Sequence, residues 1–260
     1  MISNIRIHLQ GIKTALASRM AYRGDFFMSL IIMLFEEMLV PLITILVYNN
    51  GASFPGWDMY EVLLIQSIFL LARGIAFPFF FGIVWNIIER VREGVFDLLL
   101  IKPKSVLFLA IVTGFDSEDL GKLVGGITLF AISVSRIPTP GVLEWVQFAV
   151  LFFIALIVLF GFALILAGLG IVWIGNFRVY EIFFTITNFG MFPASLFSKG
   201  LQTLITIVVP IAILGYLPAT ALLGKPAAGT WGAAAASITF FILSICFWHW
   251  MQKKYTSAGG

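Results

Sequence analysis

The sequence predicts an all-α integral membrane protein, and three observations carry that reading. The chain of 260 residues is 60% apolar and only 11% charged, with a mean hydropathy of +1.04. A water-soluble domain carries roughly 25% charged residues, so too few polar side chains are present to cover a surface in water. Apolar runs approaching or exceeding the ~20 residues that a bilayer crossing needs recur along the chain. The Lys and Arg residues between those runs are unevenly distributed. Six transmembrane helices are expected, preceded by an interfacial helix. A cytoplasmic helix is expected between the second and third, and a short re-entrant segment before the last.

The interfacial helix occupies 1–25. Ile2, Ile5, Leu9, Ile12 and Leu16 recur at helical spacing on one stripe, while Arg6, Gln10 and Lys13 fall off it. Such a helix lies in the plane of the membrane with its basic side chains near the headgroups. It has no unbroken apolar core and carries Arg6, Lys13, Arg19 and Arg23, unlike a cleaved signal. The transmembrane domain then fills 26–260, with spans expected at 26–48, 60–85, 120–137, 145–174, 179–197 and 231–250. The third is short and Gly-rich, and its Gly121 and Gly125 are spaced for close helix packing. The apolar stretch 201–217 is interrupted by Pro210 and Gly215. It is too short and broken to cross, and it reads as a re-entrant or interfacial hairpin.

Orientation follows from the basic residues. Six crossings put both termini on one side. That side holds Arg6, Lys13, Arg19, Arg23, Arg90, Arg92, Lys102, Lys104, Lys122, Arg178, Lys253 and Lys254, twelve of the sixteen. The other side holds Arg136, Lys199 and Lys225, and Arg73 falls inside a span. Positive charge collects on the cytoplasmic face, so both termini are expected in the cytoplasm, and the protein in the inner (cytoplasmic) membrane.

The loop 86–119 is the longest polar segment. Glu89, Arg92, Asp97 and Lys102 alternate there with Val95, Phe96, Leu98, Leu99, Leu100 and Ile101. A solvated linker does not carry so many large apolar side chains. Residues 89–101 are therefore expected to form one short amphipathic helix that docks on another surface, stopped by Pro103.

Catalytic chemistry is not legible. The nearest approach to a phosphate-binding loop, 114–123, has Gly121-Lys122 followed by Leu123 instead of a hydroxyl residue, and its glycines are wrongly spaced. His8 and His249 lie at opposite ends of the chain, which argues against a metal site. His249 reads as part of an interfacial aromatic belt with Trp248 and Trp250. The single cysteine, Cys246, excludes an internal disulfide and reads as a buried small apolar residue. The basic residues form no continuous face for nucleic acid, and no cofactor is expected in this chain.

Glu36, Glu37 and Arg73 fall within the expected spans. Each would cost about 2.5–3.5 kcal/mol facing lipid at the bilayer centre, so they must face protein or water. At 1.5 Å per residue, Glu37 lies about 16 Å and Arg73 about 20 Å from the outer ends of their helices. Pro41 and Pro78 cannot donate to the carbonyls of Glu37 and Gly74, which loosens both backbones near these levels. Two readings stand: a structural ion pair joining spans one and two, or residues lining a transport path. Adjacent Glu36 and Glu37 point about 100° apart on a helix, so Arg73 alone does not satisfy both. The aromatic run Phe77 and Phe79 to Phe81 serves either lipid and helix contact or the grip of a flat apolar substrate.

The run Glu93-Gly94-Val95-Phe96-Asp97-Leu98-Leu99-Leu100-Ile101-Lys102-Pro103 resembles the first cytoplasmic loop of ABC-2 type permeases, in which Gly, two residues, Asp, paired leucines and Pro follow the second span. The stretch 210–219, with Pro210, Tyr216 and Pro218, and the tail 255–259 are similar to a six-span subgroup of that family. The resemblance implies two membrane subunits, identical or homologous, bound to two copies of a separate ATPase subunit that holds ATP and Mg. It makes the loop 86–119 the source of the coupling helix, about 89–101, with Glu89, Arg92, Gly94, Phe96, Asp97, Leu98, Leu99 and the stop at Pro103 as the coupling residues. It makes 201–217 a pair of short re-entrant helices on the outer side, with substrates passing between the two permeases, mostly outward. The function so implied is the permease subunit of an ATP-driven exporter, not itself an enzyme. The alternative is a secondary transporter driven by an ion gradient through Glu36, Glu37 and Arg73. A membrane enzyme or assembly factor acting on lipid would need convergent acids, His or metal ligands at the interface.

Overall fold

The computed structural model describes residues 2–173 and 178–256, with side chains from Arg6 onward. Among the described residues every regular element is helical. Helix α1 (Ile2–Met20) runs along the bundle edge and packs on α6 (Val106–Thr113). Its Gly11 sits directly on the Val112 carbonyl, and its last turn is tied by an ion pair between Arg19 and Glu118.

Among the described residues, four helices are long and apolar enough to cross a bilayer. They are α2 (Arg23–Asn49), the combined run Met59–Arg92, α8 (Val142–Val172) and α12 (Thr230–Gln252). The second begins as α3 (Met59–Ala76), passes through a π-helical turn at Phe77–Phe81, and continues as α4 (Ile83–Arg92). A capping box starts it, with Glu61 accepting from the Asp58 backbone N–H at 3.2 Å. Its 34 residues overrun the expected 60–85 span and project the chain beyond the apolar layer.

The two remaining expected spans are shorter. Segment 120–137 forms α7 (Leu120–Val134), fifteen residues. Segment 179–197 is not one α-helix: α9 (Arg178–Thr187) gives way to 3-10 turns at Asn188–Met191 and Ala194–Leu196. Pro193 between those turns has no N–H to carry a helical ladder. The expected hairpin region is likewise built of short pieces. They are α10 (Lys199–Thr203), a π turn at Leu204–Val208, a 3-10 turn at Ala212–Leu214 and α11 (Tyr216–Leu222). Seven residues of α11 rise only about 10 Å.

Helix α8 is the central post, with α12, α4 and α11 packed on it, while α3 lies along α7 and α7 along α2. Glycines set these last two distances. A Cβ on Gly126 would lie 2.7 Å from the Leu71 backbone nitrogen, and one on Gly74 2.5 Å from the Leu123 Cα. A Cβ on Gly121 would collide with the Leu30 carbonyl of α2, and Gly125 faces Met38 of the same helix. The core is dominated by side chains of α3, α4 and α8, with α11 beneath them. Helix α2 is the opposite case: Ile32, Phe35, Leu39, Leu42 and Leu46 are all exposed.

Two local expectations change. Cys246 is exposed on α12 rather than buried. Trp248 is fully buried in the core while Trp250 is exposed, so only the latter fits an interfacial belt. The buried positions Ala234, Ser237, Ser244, Trp248 and Met251 recur at helical spacing on one inner stripe of α12, and Trp248 falls on it.

Candidate functional site

The three charges Glu36, Glu37 and Arg73, expected within spans, separate into a pair and an outlier. Arg73 of α3 places Nη2 3.1 Å from Glu37 Oε1 of α2, and both side chains are buried. The guanidinium also lies 5.0 Å from the Phe184 ring centroid and 5.1 Å from that of Phe77. Desolvated cation–π contacts of this kind add to the ion pair. A second polar link joins the same two helices where Gln66 Nε2 donates to Thr44 Oγ1 at 2.8 Å. Glu36 is exposed, on the apolar outer face of α2. The 100° turn between adjacent residues sends the two carboxylates to different sides of the helix.

A second buried ion pair lies close by. Lys122, in the first turn of α7, places Nζ 2.6 Å from Asp119 Oδ1 and 4.3 Å from the Phe77 centroid. Phe77 therefore contacts both buried cations. Burial pushes the Asp119 carboxyl above the usual carboxylate range, and the Lys122 ammonium works against that rise. In the sequence Lys122 stands out only as a cytoplasmic-side basic residue and as part of the rejected phosphate-loop match at 114–123. The three-residue spacing of Asp119 and Lys122 at a helix start was the signal available.

The π turn organises this region. Pro78 takes no part as a donor, and its carbonyl accepts from the Asp116 N–H at 3.1 Å. Gly82, just after the turn, packs so closely on the Gly114 carbonyl that any Cβ would collide with it. The segment 114–119 is thus docked on the bulge of the second long helix, and it brings Asp116 and Asp119 beside Phe77 and Phe81.

The segment 89–103 differs from the single helix expected. Helix α4 ends at Arg92, and Gly94 (φ +71°) reverses the chain. The Val95 N–H donates to the Arg90 carbonyl at 2.9 Å and the Gly94 N–H to the Val91 carbonyl at 3.2 Å. This is a Schellman cap, which needs a left-handed residue where Gly94 stands. A short helix α5 (Asp97–Leu100) follows, and the chain leaves it through Lys102 and Pro103.

The apolar side chains of the turn point two ways. Phe96 and Leu99 are 0% and 1% exposed, inside this chain and not on a docking surface. The Phe96 ring lies 4.7 Å from the Tyr255 ring. Leu98 and Ile101 are instead 52% and 78% exposed, with Leu100 also open. Glu89, Arg92, Lys102 and Pro103 are exposed around them, and Asp97 is half-buried.

At the opposite end of the bundle, Pro210 and Pro218 are buried and Tyr216 is half-buried, with its ring 5.8 Å from Trp57. Gly215 fits against the Ile65 and Gly190 carbonyls. Lys225 reaches Glu61 Oε1 at 2.8 Å. Of the tail 255–259, residues 257–259 lie outside the described residues. Among the described residues, no group of three or more His, Cys, Asp or Glu side chains is placed to hold a metal ion.

Against known families, a model described as ABC-2 family transporter protein matches residues 31–259, nearly nine-tenths of the chain. A search of curated proteins finds no match.

Proposed function

The chain belongs to the ABC-2 transporter family, and on that premise we propose that it is the permease subunit of an exporter driven by a separate ATPase. In this reading the chain crosses the membrane six times. The four long helices supply four crossings, and α7 and the broken 178–197 segment supply the others. Both termini lie in the cytoplasm, as the distribution of Lys and Arg favours, and the membrane is the inner, cytoplasmic one. The pieces between 199 and 222 dip into the outer leaflet and return.

One observation carries the coupling role: a rigidly mounted turn presents Leu98, Leu100 and Ile101 to the outside within a rim of charges. The mount is the 34-residue run beginning at Met59, the Gly94 reversal, and the Phe96 and Leu99 side chains anchored beneath. A motor subunit seated on this turn would bury the exposed trio at roughly 1.5–3 kcal/mol per side chain. Glu89, Arg92 and Lys102 at the rim would set register more than affinity. ATP and Mg belong to that motor subunit. A second permease, identical or homologous, would cover the open face of α2, where Glu36 would otherwise meet lipid.

The test uses the affinity-tagged chain purified from its native membranes. Vanadate-sensitive ATP hydrolysis is expected to elute with the parent and to be lost from Leu98→Asp and Ile101→Asp, with membrane insertion unchanged. If no hydrolysis elutes with the parent, or both variants retain all of it, the ATP-driven reading fails. The buried acid–base pair of an ion-driven carrier would then be the better account.

A further inference from the structure

A cavity of about 210 Å³ opens beside the π turn, where the second long helix, the 114–119 segment, α7 and α9 converge. Its walls are aromatic: Phe77 and Phe81 from the turn, Trp85 from α4 and Tyr180 from α9. Trp85 and Tyr180 meet with ring centroids 4.5 Å apart at 58°. Two ring faces thus form a fixed corner. The polar lining is Asp116, Asp119 and Lys122.

The charge balance of that lining decides what fits. Lys122 is answered by Asp119 at 2.6 Å. Asp116 accepts the Glu118 backbone N–H at 2.9 Å, and among the described residues no cationic side chain pairs with it. One carboxylate charge therefore remains beside an aromatic corner, where Asp116 and Tyr180 are half-buried and Trp85 is exposed on its outer side. Aromatic faces with a nearby carboxylate are what an organic ammonium ion requires, since the ring quadrupole attracts a weakly hydrated cation and the acid neutralises it. An anion would meet Asp116 unpaired, and a neutral apolar molecule would leave that charge desolvated. The volume lies below the ~300–1,000 Å³ of pockets for drug-sized ligands. Only a small head fits. A π turn in a long helix is itself a frequent mark of a functional site, and here it creates both the aromatic wall and the carbonyl that holds the acidic segment.

We propose that this cavity binds a small organic ammonium group, seated on Trp85 and Tyr180 with its charge met by Asp116. The group belongs either to a free amine or to the head of a choline or ethanolamine lipid. Binding at this site does not rest on the topology proposed above.

The experiment places the full chain in nanodiscs of phosphatidylglycerol alone, which carries no ammonium, and titrates radiolabelled choline. Saturable binding is expected, at least tenfold tighter than for 3,3-dimethylbutanol, the uncharged isostere, a comparison that needs no variant. Trp85→Leu and Asp116→Asn are each expected to weaken choline tenfold or more, while Trp85→Phe retains most of the affinity. In discs of phosphatidylcholine, loss of free-choline binding identifies the lipid head as the occupant, and undiminished binding identifies a free amine. Equal affinity for choline and its isostere, unchanged affinity in both weakening variants, or no saturable binding in phosphatidylglycerol overturns the proposal. None of these outcomes bears on ATPase association, which the Leu98 and Ile101 variants read separately.

Discussion

Phe96, in the turn after the second long helix, and Tyr255, in the tail after the last, pack ring against ring with centroids 4.7 Å apart at 63°. The C-terminal tail thus holds the turn from beneath while Leu98 and Ile101 stay exposed above. Removing the tail's ring should free the turn without touching its outer face. Tyr255→Ala is expected to raise hydrogen–deuterium exchange across 94–101 and to reduce co-purifying ATPase activity, while Tyr255→Phe behaves as the parent. Unchanged exchange in Tyr255→Ala would show that the ring contact does not hold the turn. Phe96→Ala goes further, leaving a core cavity at a cost of about 3–5 kcal/mol.

Gly94 permits a distinct test of the same turn. At φ +71° a side chain costs about 1–2 kcal/mol, and Asn tolerates this region better than Ala. Gly94→Ala should lower thermal stability more than Gly94→Asn. Equal losses would mean that the left-handed reversal is not what the residue supplies.

The Arg73–Glu37 pair predicts a pattern of non-additivity. Arg73→Met strands the buried Glu37 carboxylate without its cation, at about 3–5 kcal/mol. Arg73→Met combined with Glu37→Met removes both charges, and stability should recover most of that loss. Thermal unfolding of the parent, Arg73→Met, Glu37→Met and the double variant in one detergent closes the cycle. A double variant as unstable as Arg73→Met alone would argue that the two residues do not act as a pair.

Much of this was legible because hydrophobic length and the cost of buried charge are local properties of sequence. Long apolar runs foretold α2, α8 and α12, and comparable depth brought Glu37 and Arg73 together as candidates. Gly121 and Gly125 signalled a close crossing, although not that α2 was the helix approached. The misses share one cause, which is that direction depends on tertiary context. Alternating charge and apolar residues over 89–101 read as one helix, yet Gly94 divides it and Tyr255 claims Phe96. Lys122 looked like one more basic loop residue until the π turn brought Phe77 and Asp119 around it. Helix periodicity does not announce a π turn, because one inserted residue shifts the face of everything after it.

Glu36 gives the last prediction, and it concerns what lies beside this chain. The residue is exposed on a helix whose neighbours Ile32, Phe35 and Leu39 are exposed too. Against lipid near mid-membrane, a carboxylate costs about 2.5–3.5 kcal/mol, a penalty that a second permease packed on α2 removes. Exposed Cys246 must first be replaced, so the test is Leu39→Cys in a Cys246→Ala background. An identical partner is expected to give an oxidative cross-link of twice the chain's mass in native membranes. A homologous partner carrying a reactive cysteine would instead give a cross-link of mixed mass. Glu36→Leu should then leave the monomer as stable as the parent, because among the described residues Glu36 makes no ion pair like that of Glu37. A bound lipid-phase quencher reaching a fluorophore at position 39 in the assembled membrane complex, with no cross-link to any partner, would show that lipid covers this face.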